Sequence, residues 1–343
     1  MNLKGNCLTT AMGILPHTSI REALDLALTM DIPFWPQLPH YSYYEDMYVQ
    51  VSENFPGIII DTEQKRITMD TSRFYEELAD YAMKSDDENI FKLSSMYSAA
   101  FDAFMERDLS GYYAIRGQSI GPVSFGLKIV DENLKPIIYN DDVREFLFEF
   151  IAQKTNVQYR QLNEKHPNTF VWVDEPGLEI IFGSFTGYPS SRAKKDFAAF
   201  LERIEGPRGV HLCGNPDWSF LLSGLDLNIL SIDAYGCGDI FTRYAEEVRA
   251  FLDAGNIISW GIVPTLTEEL SRESVEALAA RLEGLWSNLA SRDISLRRIL
   301  KQAWLAPARC CLINSDGHLT VENSYRTLIG VSRLLRDKYD LWD

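Results

Sequence analysis

Short β-rich runs alternate with long amphipathic helical stretches along most of this chain, and polar residues collect where the runs end. Such alternation favours a parallel sheet with helices outside it, because parallel neighbours need crossover connections. Eight core runs are read, at residues 8–12, 33–35, 112–115 (ending at Gly117), 169–173, 209–212, 228–232, 256–260 and 309–313. Helical patterns lie between most of them, at about 20–30, 72–84, 94–106, 191–205, 240–253, 268–290, 296–303 and 321–338. Ser19 and Glu22 stand at capping-box spacing before the first helix. A further pair of runs, 57–61 and 66–70, flanks the polar stretch 62–65 and reads as a β-hairpin. The expected fold is therefore a (β/α)₈ barrel of the TIM type with an N-terminal helical and hairpin elaboration. It forms one domain over residues 1–343, with the insertion at about 55–110. The rival is an open doubly wound sheet. Its dinucleotide-binding version lacks support, since no G-x-G-x-x-G follows the first run.

In a barrel the C-terminal strand ends point into a common mouth, where such proteins do chemistry. Here that mouth would receive Asp174 and Glu175, His211 and Cys213, Asp233, and Cys310 with Cys311. His211 and Cys213 are two residues apart on a strand, so their side chains share a face and can converge on one point. Zinc favours such nitrogen and sulfur donors. By itself this spacing also fits a buried cysteine beside a hydrogen-bonded histidine. Cys310, on the last expected strand, would complete a set of three, leaving a fourth position open as in catalytic zinc sites. The paired C-x₂-C knuckles of structural zinc are absent.

Composition narrows the partners. A formal net charge of −16 argues against nucleic acid, whose binding is dominated by phosphate neutralisation. Five cysteines in a chain of 343 residues, with nothing marking secretion, do not read as a disulfide framework. No apolar run approaches the length of about eighteen residues that a membrane span needs. The N-terminus lacks the pattern of a secretory leader. A cytoplasmic protein that contacts neither membrane nor nucleic acid is expected.

Three segments carry a family resemblance. They are Val210-His211-Leu212-Cys213-Gly214-Asn215, Leu230-Ser231-Ile232-Asp233 and Pro307-Ala308-Arg309-Cys310-Cys311-Leu312. Together they resemble the zinc-site signature of the superfamily of cobalamin-independent methionine synthase, the methylcobalamin:coenzyme M methyltransferases and uroporphyrinogen decarboxylase. The H-x-C-G-N form is closest to the coenzyme M methyltransferase branch. Thr9-Thr10-Ala11-Met12-Gly13-Ile14-Leu15-Pro16-His17-Thr18 is similar to the T-x-G-S-x-P opening of methionine synthase, and Val173-Asp174-Glu175-Pro176 to its D-E-P segment. The resemblance runs patchily from about residue 8 to 330.

What the resemblance implies is a Zn²⁺ ion held by His211, Cys213 and Cys310, and a small thiol substrate activated on it for methyl transfer. Asp233 stands where methionine synthase has a glutamate ligand, and reads either as a fourth ligand or as a loop-capping carboxylate. Asp174 matches the carboxylate that holds the amino group of homocysteine, or else anchors a loop. Cys311 is expected to pack away from the metal, and Cys237, in a Gly-flanked turn, to be a loop thiol or else a substitute ligand. The aromatic cluster of Phe34, Trp35, Tyr41, Tyr43 and Tyr44 lines the mouth or packs beneath a lid, with Tyr41 as a substrate contact. The branch of uroporphyrinogen decarboxylase is set aside, because residues 32–39 contain no arginine to grip porphyrin carboxylates.

The departures bear on substrate and donor. Ile14 replaces a serine that contacts homocysteine, residues 38–45 do not match the family's glutamate, and the D-I-H-S segment reads Ile258-Ser259-Trp260-Gly261. The half of full-length methionine synthase that helps to bind folate has no counterpart in this sequence. A methyl-corrinoid brought by a corrinoid protein is therefore the expected donor. No D-x-H-x-x-G cobalamin motif occurs in the chain itself. Alternatives are a zinc hydrolase with Asp174 or Glu175 as base, and a non-catalytic subunit that binds a corrinoid protein. Each lost hydrogen-bond partner costs about 1–3 kcal/mol. Homocysteine should accordingly be a poor methyl acceptor, with a small thiol lacking the α-amino group reacting at least tenfold faster. Initial rates with methylcobalamin measure this, and efficient methionine formation would contradict it.

Overall fold

The structure, a computed structural model, describes residues 3–183 and 187–342. Seven parallel strands form its central sheet: β1 (Leu8–Thr9), β4 (Ile115–Ile120), β5 (Thr169–Asp174), β6 (Arg208–Leu212), β7 (Ile229–Ile232), β8 (Ile257–Val263) and β9 (Ala303–Pro307). Their order is β1-β9-β8-β7-β6-β5-β4. The remaining strands, β2 (Ile58–Asp61) and β3 (Arg66–Met69), pair as the expected antiparallel hairpin. Helices connect the parallel strands and cover the outer face, so the sheet is a curled α/β layer of the TIM-like kind.

The expected second strand, residues 33–35, does not form a ladder. Pro33 and Pro36 lack the N–H groups that a ladder consumes. The segment instead touches both edges of the sheet at isolated points. Phe34 bridges to Arg116 on β4, and Gln37 to Ile14 beyond β1. The Gln37 N–H donates to the Gly13 carbonyl at 2.7 Å, and the Arg116 N–H to that of Pro33 at 3.0 Å.

Two strand boundaries differ instructively. β4 continues through Gly117 to Ile120 rather than ending there. A Cβ at Gly117 would collide with the Gln158 side chain, so this glycine permits close approach of a helix to the strand and does not terminate it. The last strand is Ala303–Pro307, not 309–313, and the helix before it stops at Lys301. Cys310 and Cys311 consequently lie in the loop after β9. The longest helix, Asp141–Lys165, is absent from the sequence-based pattern. It buries Lys154, Asn156 and Gln158 among Phe150, Ile151 and Val157, which obscures any clean apolar stripe. That helix also anchors the hairpin insertion: Phe146 and Phe150 make edge contacts with Phe55, Phe74, Tyr81 and Phe91.

Side chains alternate along each strand, one set inward and one outward. Leu8, Phe170, Trp172, Ile229, Ile257 and Trp304 form an inner cluster. Val173, Val210, Leu212, Leu230, Ile232, Ile258 and Trp260 belong to the outer core beneath the helices. No helix among the described residues is long and apolar enough to cross a membrane.

Gly261 sits where the β8–β9 register shifts. A Cβ there would meet the Ile232 carbonyl oxygen at 2.5 Å and that of Pro307 at 2.9 Å, both of them backbone. Neither neighbour can rotate away, so Gly261→Ala should destabilise the fold by about 3 kcal/mol, the upper part of the usual overpacking range. Urea unfolding monitored by tryptophan fluorescence provides the check, and an unchanged midpoint would contradict this packing.

Candidate functional site at the carboxyl ends of the strands

The inward alternation of the parallel strands carries polar residues to one end of the sheet. Asp174 closes β5 and His211 lies next to last on β6, as in-register partners. Cys213 follows β6, Asp233 follows β7, and Cys310 lies beyond β9. His211 is buried, and its ring stacks on Trp172 with centroids 5.8 Å apart. Its Nδ1 lies 3.0 Å from the Ser231 hydroxyl, leaving Nε2 as the nitrogen available to a ligand. Burial, and then the Arg116 charge, push its pKa down to about 3, so the imidazole is neutral.

Two thiols face the same region. Burial first, then the charges of Asp174 and Asp233, push the Cys213 thiol up to about 11, with Arg309 opposing. Burial, followed by Cys213 and Asp174, pushes Cys310 up to about 12. Cys213, Cys310 and Asp174 are thus within electrostatic reach of one another. Cys310 packs on the inner cluster, whereas Cys311 is buried in the outer core. The donor types suit a zinc ion: one neutral imidazole and two cysteines. Their spacing is looser than that of a tight cluster. Among the described residues, three ligand atoms all within 4.8 Å of one another are found at His17, His318 and Glu322, and not at His211, Cys213 and Cys310.

The carboxylates separate by role. Asp174 is buried, its Oδ1 has no hydrogen-bond partner, and burial lifts its pKa to about 7 against the pull of Arg116. Glu175 is fully engaged elsewhere. Its oxygens accept from the Val123 N–H (3.0 Å), the Ser124 N–H (2.8 Å) and the Ser124 hydroxyl (2.6 Å), fastening the first turn of helix Pro122–Lys128. It is therefore occupied as an anchor rather than free to act as a base. Asp233 caps helix Ala234–Phe241, accepting from the Gly236 N–H at 2.6 Å. Cys237 lies within that helix rather than in a turn, and burial raises its pKa to about 11.

Several important neighbours were not singled out by the sequence reading. Arg116, wholly buried on β4, lays its guanidinium 3.7 Å from the Trp172 ring centroid. It donates to Thr10 Oγ1 at 3.0 Å and Gln118 Oε1 at 3.0 Å, while its Nη2 has no partner. Tyr48 is one of two tyrosines brought near the site. Burial, then Glu175, Asp46, Asp174 and Cys213, raise its pKa. Tyr41, by contrast, is 48% exposed. Ile14 is half-buried against the outer core. Tyr325, on helix Leu319–Tyr339, is buried within reach of both Arg116 and Cys310. Arginine at an inward strand position was the signal available for Arg116, but placing β4 too early hid it. Nothing local distinguishes Tyr48 from Tyr43 and Tyr44, which are partly buried as it is.

No protein-family model and no curated protein sequence matches the chain. Solved structures do. A methyltransferase from Methanosarcina mazei superposes with a TM-score of 0.57 at 13% identity, covering 99% of this chain and 95% of the other. A B12-independent methionine synthase from Shewanella sp. W3-18-1, in complex with selenomethionine, gives 0.52 at 13%, covering 98% and 95%. A putative vitamin-B12 independent methionine synthase from Listeria monocytogenes gives 0.54 at 12%, covering 94% and 87%. The chain shares the fold of these proteins over nearly its whole length.

The two adjacent acids should respond oppositely to substitution. Glu175→Ala strands three donors and should cost on the order of 2–3 kcal/mol. Asp174 has an ordinary pKa of 3.8, raised to about 7 by the fold, so the folded state favours its protonated form. Its contribution to stability is therefore complete below pH 3.8 and is lost as pH rises through about 7. In metal-free protein Asp174→Asn should flatten the fall in unfolding free energy across that window. Chemical denaturation at a series of pH values tests both, and a steeper fall in the Asp174 variant would refute the assignment.

Proposed function

We propose that this chain is a zinc-dependent methyltransferase that moves a methyl group, from a methyl-corrinoid carried on a partner protein, to a small thiol. The observation that carries this reading is the gathering of a neutral His211 and the thiols of Cys213 and Cys310 at the carboxyl ends of the parallel strands. We read the seven strands and the segment at residues 32–37 as one closed barrel whose mouth holds these residues. The fold shared with methionine synthase and methyltransferase structures supports methyl transfer as the reaction class.

His211, Cys213 and Cys310 would hold the zinc through Nε2 and the two sulfurs. When bound, zinc supplies the positive charge that makes a thiol available as thiolate at neutral pH. Ser231 fixes the ring orientation of His211, and Trp172 walls it from the barrel interior. Asp174 Oδ1 and Arg116 Nη2, each without a partner, offer the polar end of an acceptor a place to bind. Asp174, buried at the same mouth, is also the carboxylate placed to take up the proton that the thiol releases. The acceptor sulfur forms its bond to the methyl carbon as the carbon–donor bond breaks, the electron pair of that bond staying with the donor. This needs the methyl group at about 3–3.5 Å from the sulfur.

The net charge of −16 favours a protein-borne corrinoid over a polyanionic folate, which such a surface repels. A second reading keeps the thiol acceptor but takes its methyl group from a non-corrinoid donor. It is favoured by two of the neighbours being named B12-independent methionine synthases.

Protein loaded with zinc and desalted should lose one equivalent of its bound zinc on Cys213→Ser or Cys310→Ala. Methylcobalamin should lose its alkyl-cobalt spectrum in the presence of a suitable thiol, faster with a methylated corrinoid protein, and more than a hundredfold more slowly in Cys310→Ala. Turnover with methyltetrahydrofolate and none with any corrinoid would establish the second reading. Full turnover in the cysteine variants would contradict both.

A further inference from the structure

The loop that carries Cys310 runs on to His318, the residue that begins helix Leu319–Tyr339. One helical turn later comes Glu322, on the same helix face. His17, in the segment after β1, meets both. The ligand atoms of His17, His318 and Glu322 all lie within 4.8 Å of one another. The two imidazoles stack with centroids 4.7 Å apart and planes inclined by 26°. A single oxygen, Glu322 Oε1, faces both rings, at 3.5 Å from His17 Nε2 and 3.7 Å from His318 Nε2.

These contacts leave His17 unsatisfied. Its side chain is 0% exposed, neither ring nitrogen has a hydrogen bond of good geometry, and the one acceptor it faces, Glu322 Oε1, lies 3.5 Å away. Burying such groups without partners costs about 1–3 kcal/mol each. Burial and the neighbouring His318 lower its pKa, against the pull of Glu322 and Glu22, which keeps a ring lone pair free. Glu322 is already oriented: its Oε2 accepts from Arg326 Nη2 at 2.8 Å, which turns Oε1 toward the histidines.

We propose that His17, His318 and Glu322 bind a divalent first-row transition ion, at a site separate from the cysteines. Two imidazoles and one carboxylate suit Zn²⁺, Co²⁺, Ni²⁺ or Fe²⁺, whereas Mg²⁺ and Ca²⁺ prefer sites built of oxygen. Three protein ligands leave coordination positions open to water or to a small anionic ligand. The orphaned nitrogens of His17 gain a partner, and the buried ring no longer represents an uncompensated cost. His318 and Cys310 share one loop, so loading of this site also bears on the loop that presents Cys310.

The test uses the full chain with the sulfur donors removed. In Cys213→Ser/Cys310→Ser protein, titration with Co²⁺ should give one equivalent of visible d–d absorption without a sulfur-to-cobalt charge-transfer band. Adding His318→Asn or Glu322→Gln should weaken that binding at least tenfold; both positions are accessible enough for the fold to persist. Should the doubly substituted background not fold, zinc content of loaded wild type and His318→Asn gives the same answer. The variant should hold one equivalent fewer, whatever the cysteines hold. Absence of Co²⁺ binding in the folded sulfur-free protein, or metal content unchanged by His318→Asn and Glu322→Gln, overturns this site while leaving the cysteine reading untouched.

Discussion

A guanidinium buried at the heart of the sheet sets the electrostatics of everything above it. Arg116 is 0% exposed, and an unpaired charge there would be prohibitive. It is tolerated because the Trp172 face, Thr10, Gln118 and a backbone carbonyl surround it, with Asp174 as the opposing charge. The same cation helps to hold His211 neutral and restrains the pKa of Asp174. The backbone of Arg116, independently of its charge, ties the parallel sheet to the proline-bounded segment through the Phe34 bridge and the Pro33 carbonyl. Replacing the side chain would remove its contacts with the Phe34 and Trp172 rings and with Thr10 and Gln118, while leaving those backbone ties in place.

Much of this architecture was legible in the sequence because burial on both faces leaves apolar strands, and period-2 alternation decides which polar residue points inward. The runs at 169–173, 209–212 and 228–232 were read to within one residue of β5, β6 and β7, whereas β8 continues to Val263, three residues past the end read for it. His211 and Cys213 needed only strand spacing, and Asp174 a strand end. The failures have local causes. The last strand was placed at 309–313 and the preceding helix run on to 303, although Ala303–Pro307 is apolar and a strand's last residue can lack its N–H. Gly117 resembled a terminator because its tight contact with Gln158 is tertiary. Glu175 looked available until its three donors appeared, and these lie some fifty residues away. His17 gave no signal, since its partners sit at the far end of the chain.

The two metal readings rest on opposite physical situations. At the cysteines, the donor atoms are of the right kind and lie in an environment that keeps thiols protonated, with Asp174 and Asp233 adding negative charge. A cation there would relieve several buried groups at once. At His17 the geometry is already close, and the surplus is an imidazole without a hydrogen bond of good geometry. One site is defined by charge and the other by unmet coordination, and both gather at or just beyond the ends of β1, β6 and β9.

The central claim is that the thiol to be methylated joins His211, Cys213 and Cys310 around one metal ion. X-ray absorption at the zinc edge, on His318→Asn protein so that only this centre contributes, tests it most directly. The account predicts two sulfur scatterers and one imidazole in the resting protein, and a third sulfur when a substrate thiol is added. A sulfur count that does not change with thiol, or a centre without the two cysteine sulfurs, would contradict it.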